Sequence, residues 1–149
     1  MKIGVLSVFA MLLIFGFAGF VVENDSVNAD DSMFVESDSG LFAYQFWNTN
    51  PMAIGNTTSV NCSGSMMIQF EVKAYFNDEV GDFRLVVYAD NESVFNQSIV
   101  NETMNETIVF SCENEIVIQS YGQGYFNEEN MPVGDFFVAH YSLWEKQTK

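Results

Sequence analysis

Basic residues are scarce: five Lys and Arg stand against 20 Asp and Glu in 149 residues, a formal net charge of −15. So one-sided a surface repels phosphate backbones and anionic lipid, which excludes nucleic-acid binding and leaves basic partners, divalent cations and uncharged ligands. Histidine occurs once, at His140. Any Ser–His or Cys–His mechanism must therefore use it, yet it lies in an apolar stretch with Phe136 and Val138 on its parity and no nucleophile motif beside it. Without a recognisable catalytic constellation the chain reads as a non-enzyme with no resident cofactor. Cysteine occurs only twice, at Cys62 and Cys112, too few for a Cys-rich metal cluster. A second long apolar run is missing after the first, and the C-terminus is polar, which excludes a multi-pass protein and a lipid-anchor tail.

The one long apolar run, residues 3–22, follows the single basic residue Lys2 and precedes a polar stretch, 23–29. That is the pattern of a signal peptide, and Val27-Asn28-Ala29 places cleavage after Ala29. The run also reaches the roughly 20 apolar residues that span a bilayer, so an uncleaved anchor is the alternative. In both cases residues 30–149 lie outside the cytoplasm, secreted or held at the cell surface, and a membrane is a partner only if the segment is retained. With 15% aromatic and 48% hydrophobic content the remainder is long enough for one domain with a real core.

That core is written in period-2 alternation. Met66, Ile68, Phe70, Val72, Ala74 and Phe76 share one parity, as do Phe83, Leu85, Val87 and Ala89, and an acidic turn, 77–82, separates the two runs. The pattern predicts a β-hairpin, 66–89, at the heart of the domain. Residues 41–47 alternate as a strand covered on both sides, 48–65 carries loop punctuation with an extended piece at 58–62, and 93–100, 107–112 and 115–121 are three more short strands. A loop, 122–134, precedes a last apolar strand, 135–144. The acidic, Ser-rich stretch 30–40 reads as a flexible lead-in to a domain at 41–149. Seven or eight short strands without an amphipathic helix mean an all-β, antiparallel β-sandwich of the jelly-roll kind. Immunoglobulin topology does not fit: no Trp follows Cys62 at the required distance, and no Tyr stands two residues before Cys112.

The segment Asp82-Phe83-Arg84-Leu85-Val86-Val87-Tyr88-Ala89-Asp90 resembles the Asp-Tyr-x-x-Val-x-Asp-Gly stretch of CUB domains. Asn114 to Ile118, followed by Phe137-Val138-Ala139-His140-Tyr141, is similar to that family's closing strands and their Phe-x-Ala-x-Tyr ending. Over residues 62–141 the resemblance implies a secreted jelly-roll binding module. It does not carry the family's calcium site intact, because Ser120 is followed by Tyr121 instead of an Asp, and the family's two short-loop disulfides are replaced by a single candidate pair.

An even cysteine count in an exported chain predicts one disulfide, Cys62 to Cys112, and both positions keep the inward parity of their runs. Closing a loop of about 50 residues restricts the unfolded chain by about 3 to 4 kcal/mol. Asn-x-Ser/Thr triplets begin at Asn24, Asn56, Asn61, Asn91, Asn96, Asn101 and Asn105, an excess that predicts N-glycosylation of the exported part. Asp78, Glu79 and Asp82 at the acidic turn are candidate oxygen ligands for Ca²⁺, against the default of a solvated turn. Tyr125, Phe126, Glu128 and Glu129 form a candidate ligand loop, since recognition residues concentrate in loops held by a rigid scaffold. Two functions follow: a secreted, glycosylated module that binds a protein or glycan through end loops, or, if the N-terminal run is kept, a membrane-anchored or pilin-like surface subunit whose role is assembly.

Overall fold

The computed structural model describes residues 33–76, 81–99, 103–126 and 134–147. Eight strands run in chain order: β1 (Phe34–Gln45), β2 (Met52–Asn61), β3 (Gly64–Tyr75), β4 (Asp82–Ala89), β5 (Glu92–Ile99), β6 (Thr103–Cys112), β7 (Glu115–Gly124) and β8 (Phe136–Lys146). They form two four-stranded antiparallel sheets, in the orders β1-β8-β3-β6 and β2-β7-β4-β5. Strands 1 and 8, 2 and 7, 3 and 6, and 4 and 5 are partners, the nesting of one long hairpin rolled onto itself. This is the jelly roll expected from the alternation. Among the described residues no helix is long and apolar enough to cross a membrane, and the hydrophobic segment 1–29 lies outside the described residues.

The inward faces meet in an apolar core in which, among the described residues, Ser120 and Asp135 are the buried polar ones. Met66, Ile68, Phe70, Val72, Ala74 and Phe76 line one sheet and Phe83, Leu85, Val87 and Ala89 the other, all buried. Aromatic rings bridge the two: Phe83 stacks on Phe137 with centroids 4.2 Å apart, and Phe70 on Phe95 at 5.5 Å.

The expected hairpin 66–89 is corrected here. β3 and β4 do not pair; the connection through 77–80 carries the chain from one sheet to the other. Side-chain alternation is the same whether two strands lie side by side or face each other across a core, so periodicity alone does not separate the cases. The local hairpin is β4–β5, whose turn residues Asp90 (φ 49°) and Asn91 (φ 71°) occupy the left-handed region that two-residue hairpin loops require.

Further boundaries differ from expectation. β7 runs to Gly124 and takes the first three residues of the expected loop 122–134. The stretch 34–40, read as a flexible lead-in, is the first half of β1 and pairs with the end of β8. A bulge between Glu36 and Asp38 flips its parity, Val35 facing in before it and Gly40 and Phe42 after it, which hides the alternation. β2 takes up most of the expected loop 48–65: Met52, Ile54 and Val60 pack on the core, while Gly55, Asn56, Thr57 and Ser59 give it the composition of a turn. β6 begins at Thr103, bringing buried Met104 into the sheet.

Candidate functional site

The register sorts every connection to one of two ends of the roll. At one end lie Phe34 and Lys146, the β2–β3 and β6–β7 corners and the β4–β5 turn. At the other lie the β1–β2, β3–β4, β5–β6 and β7–β8 connections, because Gln45 and Tyr75 both pair with Phe136, and Asp82 pairs with Gln123. The expected acidic turn and the expected ligand loop, about 45 residues apart in sequence, thus emerge from the same end.

The first end is sewn shut. Cys62 and Cys112 form the expected disulfide with Cα atoms 5.8 Å apart, joining the two corners where the rolled hairpin passes between sheets. The Cys62 N–H donates to the Asn114 carbonyl (3.1 Å) beside it. Asp90 locks the hairpin tip onto this corner: its carboxylate accepts from the backbone N–H groups of Glu113 (2.6 Å), Asn114 (2.8 Å) and Glu115 (3.2 Å) and from Asn114 Nδ2 (3.2 Å). These donors, the Glu113 N–H first, hold its carboxyl below the usual range despite an opposing desolvation. A recess of about 300 Å³ beside it is lined by Glu92, Val94, Ser111 and Glu113. Asp90 and the two cysteine sulfurs lie within 4.8 Å of one another. The sulfurs are bonded to each other and the carboxylate is engaged by four donors, so this corner is an anchor rather than a metal centre.

At the second end, hydrogen bonds tie the feet of two connections together. Asp135, fully buried just before β8, clamps the base of the β7–β8 connection: its Oδ2 accepts from the Tyr125 N–H (2.9 Å) and its own N–H donates to the Tyr125 carbonyl (3.2 Å). Its carbonyl accepts from the Phe46 N–H (2.8 Å), and the Phe126 N–H donates to the Asn48 carbonyl (2.7 Å), zipping this loop to the β1–β2 connection. Gly134 is required at the crossing, since a Cβ there would run into the Phe46 carbonyl oxygen. On this base Trp47, 51% exposed, lies against Phe126 with ring centroids 6.0 Å apart at 41°.

Of the residues expected in the ligand loop, Tyr125 and Phe126 are therefore placed, half-buried, at the loop's foot; Glu128 and Glu129 lie outside the described residues. Of the expected calcium ligands, Asp82 opens β4 at the same end, and Asp78 and Glu79 lie outside the described residues. Trp47 was not expected in this role, because alternation extends the first strand to it; β1 stops at Gln45 and Trp47 leaves the sheet. Asp135 carries no signal in the sequence beyond being an acid at the edge of an apolar run. His140 stands on the outer face, in register with Leu41 on β1 and Glu71 on β3, far along β8 from either end.

The sequon residues Asn56, Asn61, Asn91, Asn96 and Asn105 are all exposed, and Asn101 lies outside the described residues with Asn24. Asn96 Oδ1 accepts from Arg84 Nε at 2.8 Å, orienting its side chain across the β4–β5 pair.

No family model and no curated protein matches the chain. Among solved structures it is similar to a subunit of Bacillus endospore appendages, described as disulfide-linked pili, at 12% identity over 84% of this chain and 99% of that one (TM-score 0.44). It is also similar to the TmCBM61 module in complex with β-1,4-galactotriose, at 13% identity over 76% and 88% (TM-score 0.45), and to a family 35 carbohydrate-binding module from Clostridium thermocellum, at 13% identity over 75% and 96% (TM-score 0.35). The jelly-roll assignment rests on the strand order, not on these likenesses.

Proposed function

We propose that this chain is an exported, N-glycosylated, non-enzymatic jelly-roll module that recognises a protein or a glycan through the loop end of the sandwich. The observation that carries the reading is exposed Trp47 resting against half-buried Phe126 on a base clamped by buried Asp135. Exposed aromatic faces gain by covering the apolar side of a sugar ring or a partner's side chain, and a fixed base keeps the entropy of ordering them low. The CUB-like resemblance points the same way, toward a secreted binding module. A Ca²⁺ ion on Asp78, Glu79 and Asp82 is a subsidiary reading that Asp82's place at this end supports.

The test is binding of the exported protein to a glycan array and to a panel of extracellular proteins, repeated with Trp47→Ala and Phe126→Ala. We expect both variants to lose at least about tenfold in affinity, with an unchanged melting curve for Trp47→Ala, whose side chain is 51% exposed. Binding that survives both substitutions refutes the loop-end site. The assembly reading, a membrane-anchored or pilin-like subunit, is separated by N-terminal sequencing at Ala29–Asp30: recovery of a chain starting at Met1 favours it over secretion.

A further inference from the structure

A jelly roll of two open sheets has four edge strands, here β1 and β6 in one sheet and β2 and β5 in the other. Such edges offer free backbone donors and acceptors to any passing strand and need protection. The sequons fall on three of them: Asn56 and Asn61 on β2, Asn96 on β5 with Asn91 in the turn before it, and Asn105 on β6. The fourth, β1, contains no asparagine at all. Its first half is guarded by Glu36, Asp38 and the bulge between them. Its second half, residues 39–45, carries no charge and exposes Leu41 (60%) and Ala43 on the outer face.

We propose that this second half of β1 pairs with the same segment of a second copy of the chain, antiparallel about a two-fold axis, joining two four-stranded sheets into one continuous sheet. The sheet faces stay continuous only if partners share parity, so the numbers of paired residues must sum to an even value. A sum of 82 sets Leu41 against Leu41 and Gly40 against Phe42. Asp38 then faces Tyr44, and no carboxylate faces another. A self-complementary contact of this kind closes as a dimer and leaves no edge for further growth on that side. One strand pair buries less than the roughly 1,200 Å² of a standard interface, so the association is weak. It must also overcome repulsion between two strongly acidic copies, which salt screens. Self-association therefore strengthens with ionic strength, whereas capture of a basic strand by Glu36 and Asp38 would weaken. The shielding of the other three edges rests on the N-glycosylation proposed above; the open β1 edge does not.

Sedimentation velocity on the glycoprotein, from about 10 µM to about 1 mM and at about 0.05 and 0.5 M salt, tests this. The expected result is a monomer–dimer equilibrium that shifts to dimer with salt. Leu41→Asp, which is tolerated in the fold because the side chain is exposed, should weaken it at least about tenfold by placing two carboxylates face to face. Leu41→Cys should form an intermolecular disulfide across the axis under oxidising conditions. A monomer throughout, a dimer that salt weakens, or a dimer indifferent to Leu41→Asp overturns the proposal. Intact-mass measurement separates it from the glycan reading: an unglycosylated protein that dimerises through Leu41 refutes only the glycans, and a glycosylated monomer refutes only the dimer.

Discussion

Replacing both cysteines, Cys62→Ser with Cys112→Ala, removes the staple at the corner of the roll without adding a group to the core. The disulfide closes a loop of 50 residues, and the chain-entropy relation gives about 4 kcal/mol for that length at room temperature. The loop holds the whole of β3, β4 and β5 and nearly all of β6, so the constraint acts on half the domain in the unfolded state. In the folded state little changes locally: the Cys62 N–H to Asn114 bond and the four donors on Asp90 still hold the corner. For a domain between the small and large classes, each kcal/mol moves the melting temperature by about 3 to 5 °C, so the expected drop is about 12 to 20 °C. Scanning calorimetry of the double variant, with wild type under reducing and non-reducing conditions, reads it. A drop under about 4 °C, with a native-like circular dichroism spectrum, would refute the reasoning, because it would mean that the reduced unfolded chain already holds the two corners together.

Three other outcomes follow from single contacts. Asp90→Asn keeps a side chain suited to the left-handed turn but removes the charge; because the folded carboxyl titrates below its unfolded value, its contribution is complete above about pH 4 and lost as pH falls through the folded value, so the stability gap between wild type and variant in pH-dependent melts should narrow on acidification below about pH 4. Gly40→Val drives a side chain into the ring of Tyr141, whose hydroxyl donates to Asp38 Oδ2 at 3.0 Å, and should cost about 1 to 3 kcal/mol in urea unfolding; a neutral result would show that the ring relaxes freely. Phe83→Ala empties the position stacked on Phe137 at 4.2 Å and should cost about 3 to 5 kcal/mol by the same measurement, with a loss under about 1.5 kcal/mol pointing to collapse of the cavity.

The strands that alternation reveals are the central ones. β3 and β4 are read nearly to their ends, and the starts of β7 and β8 fall within a residue of expectation. Both faces of an edge strand are less constrained, and most misread stretches are at edges: the bulged half of β1, the Gly- and Thr-rich β2, and the start of β6, where Glu106 sits at an inward-parity position yet remains exposed; the end of central β7, where Gly122 and Gly124 resemble a loop, is the exception. The disulfide was legible because two inward parities and an even count leave one pairing. Sheet membership was not, since Phe70 and Leu85 look alike whether their strands are neighbours or face each other. The same limit hid the loop end: Trp47 and Phe126 are brought together by hydrogen bonds between two connections about 80 residues apart, and no local pattern encodes that.

The division of labour between the two ends has a physical basis in the rolled hairpin itself. Its tip, Asp90-Asn91, and its middle corner, Cys62 with Cys112 to Asn114, fall at one end of the sandwich because β3–β6 and β2–β7 each span the full length of a sheet. Covalent and charge-assisted contacts at this end therefore fix the register of both sheets at once: a slip of β6 against β3 would have to break the disulfide's alignment, and a slip of β5 against β4 would pull Asp90 from its donors. With register secured there, the four connections at the other end are free of that duty. Among the described residues of these connections Asp135 is the buried acid, and it holds main chain rather than reaching solvent. Asp135→Ala should then loosen Tyr125 and Phe126 while leaving the sheets in place: hydrogen exchange is expected to speed at residues 124–126 and 46–48 and to stay unchanged in β3 and β4. Protection lost evenly across both sheets would show instead that the loop end also carries the fold.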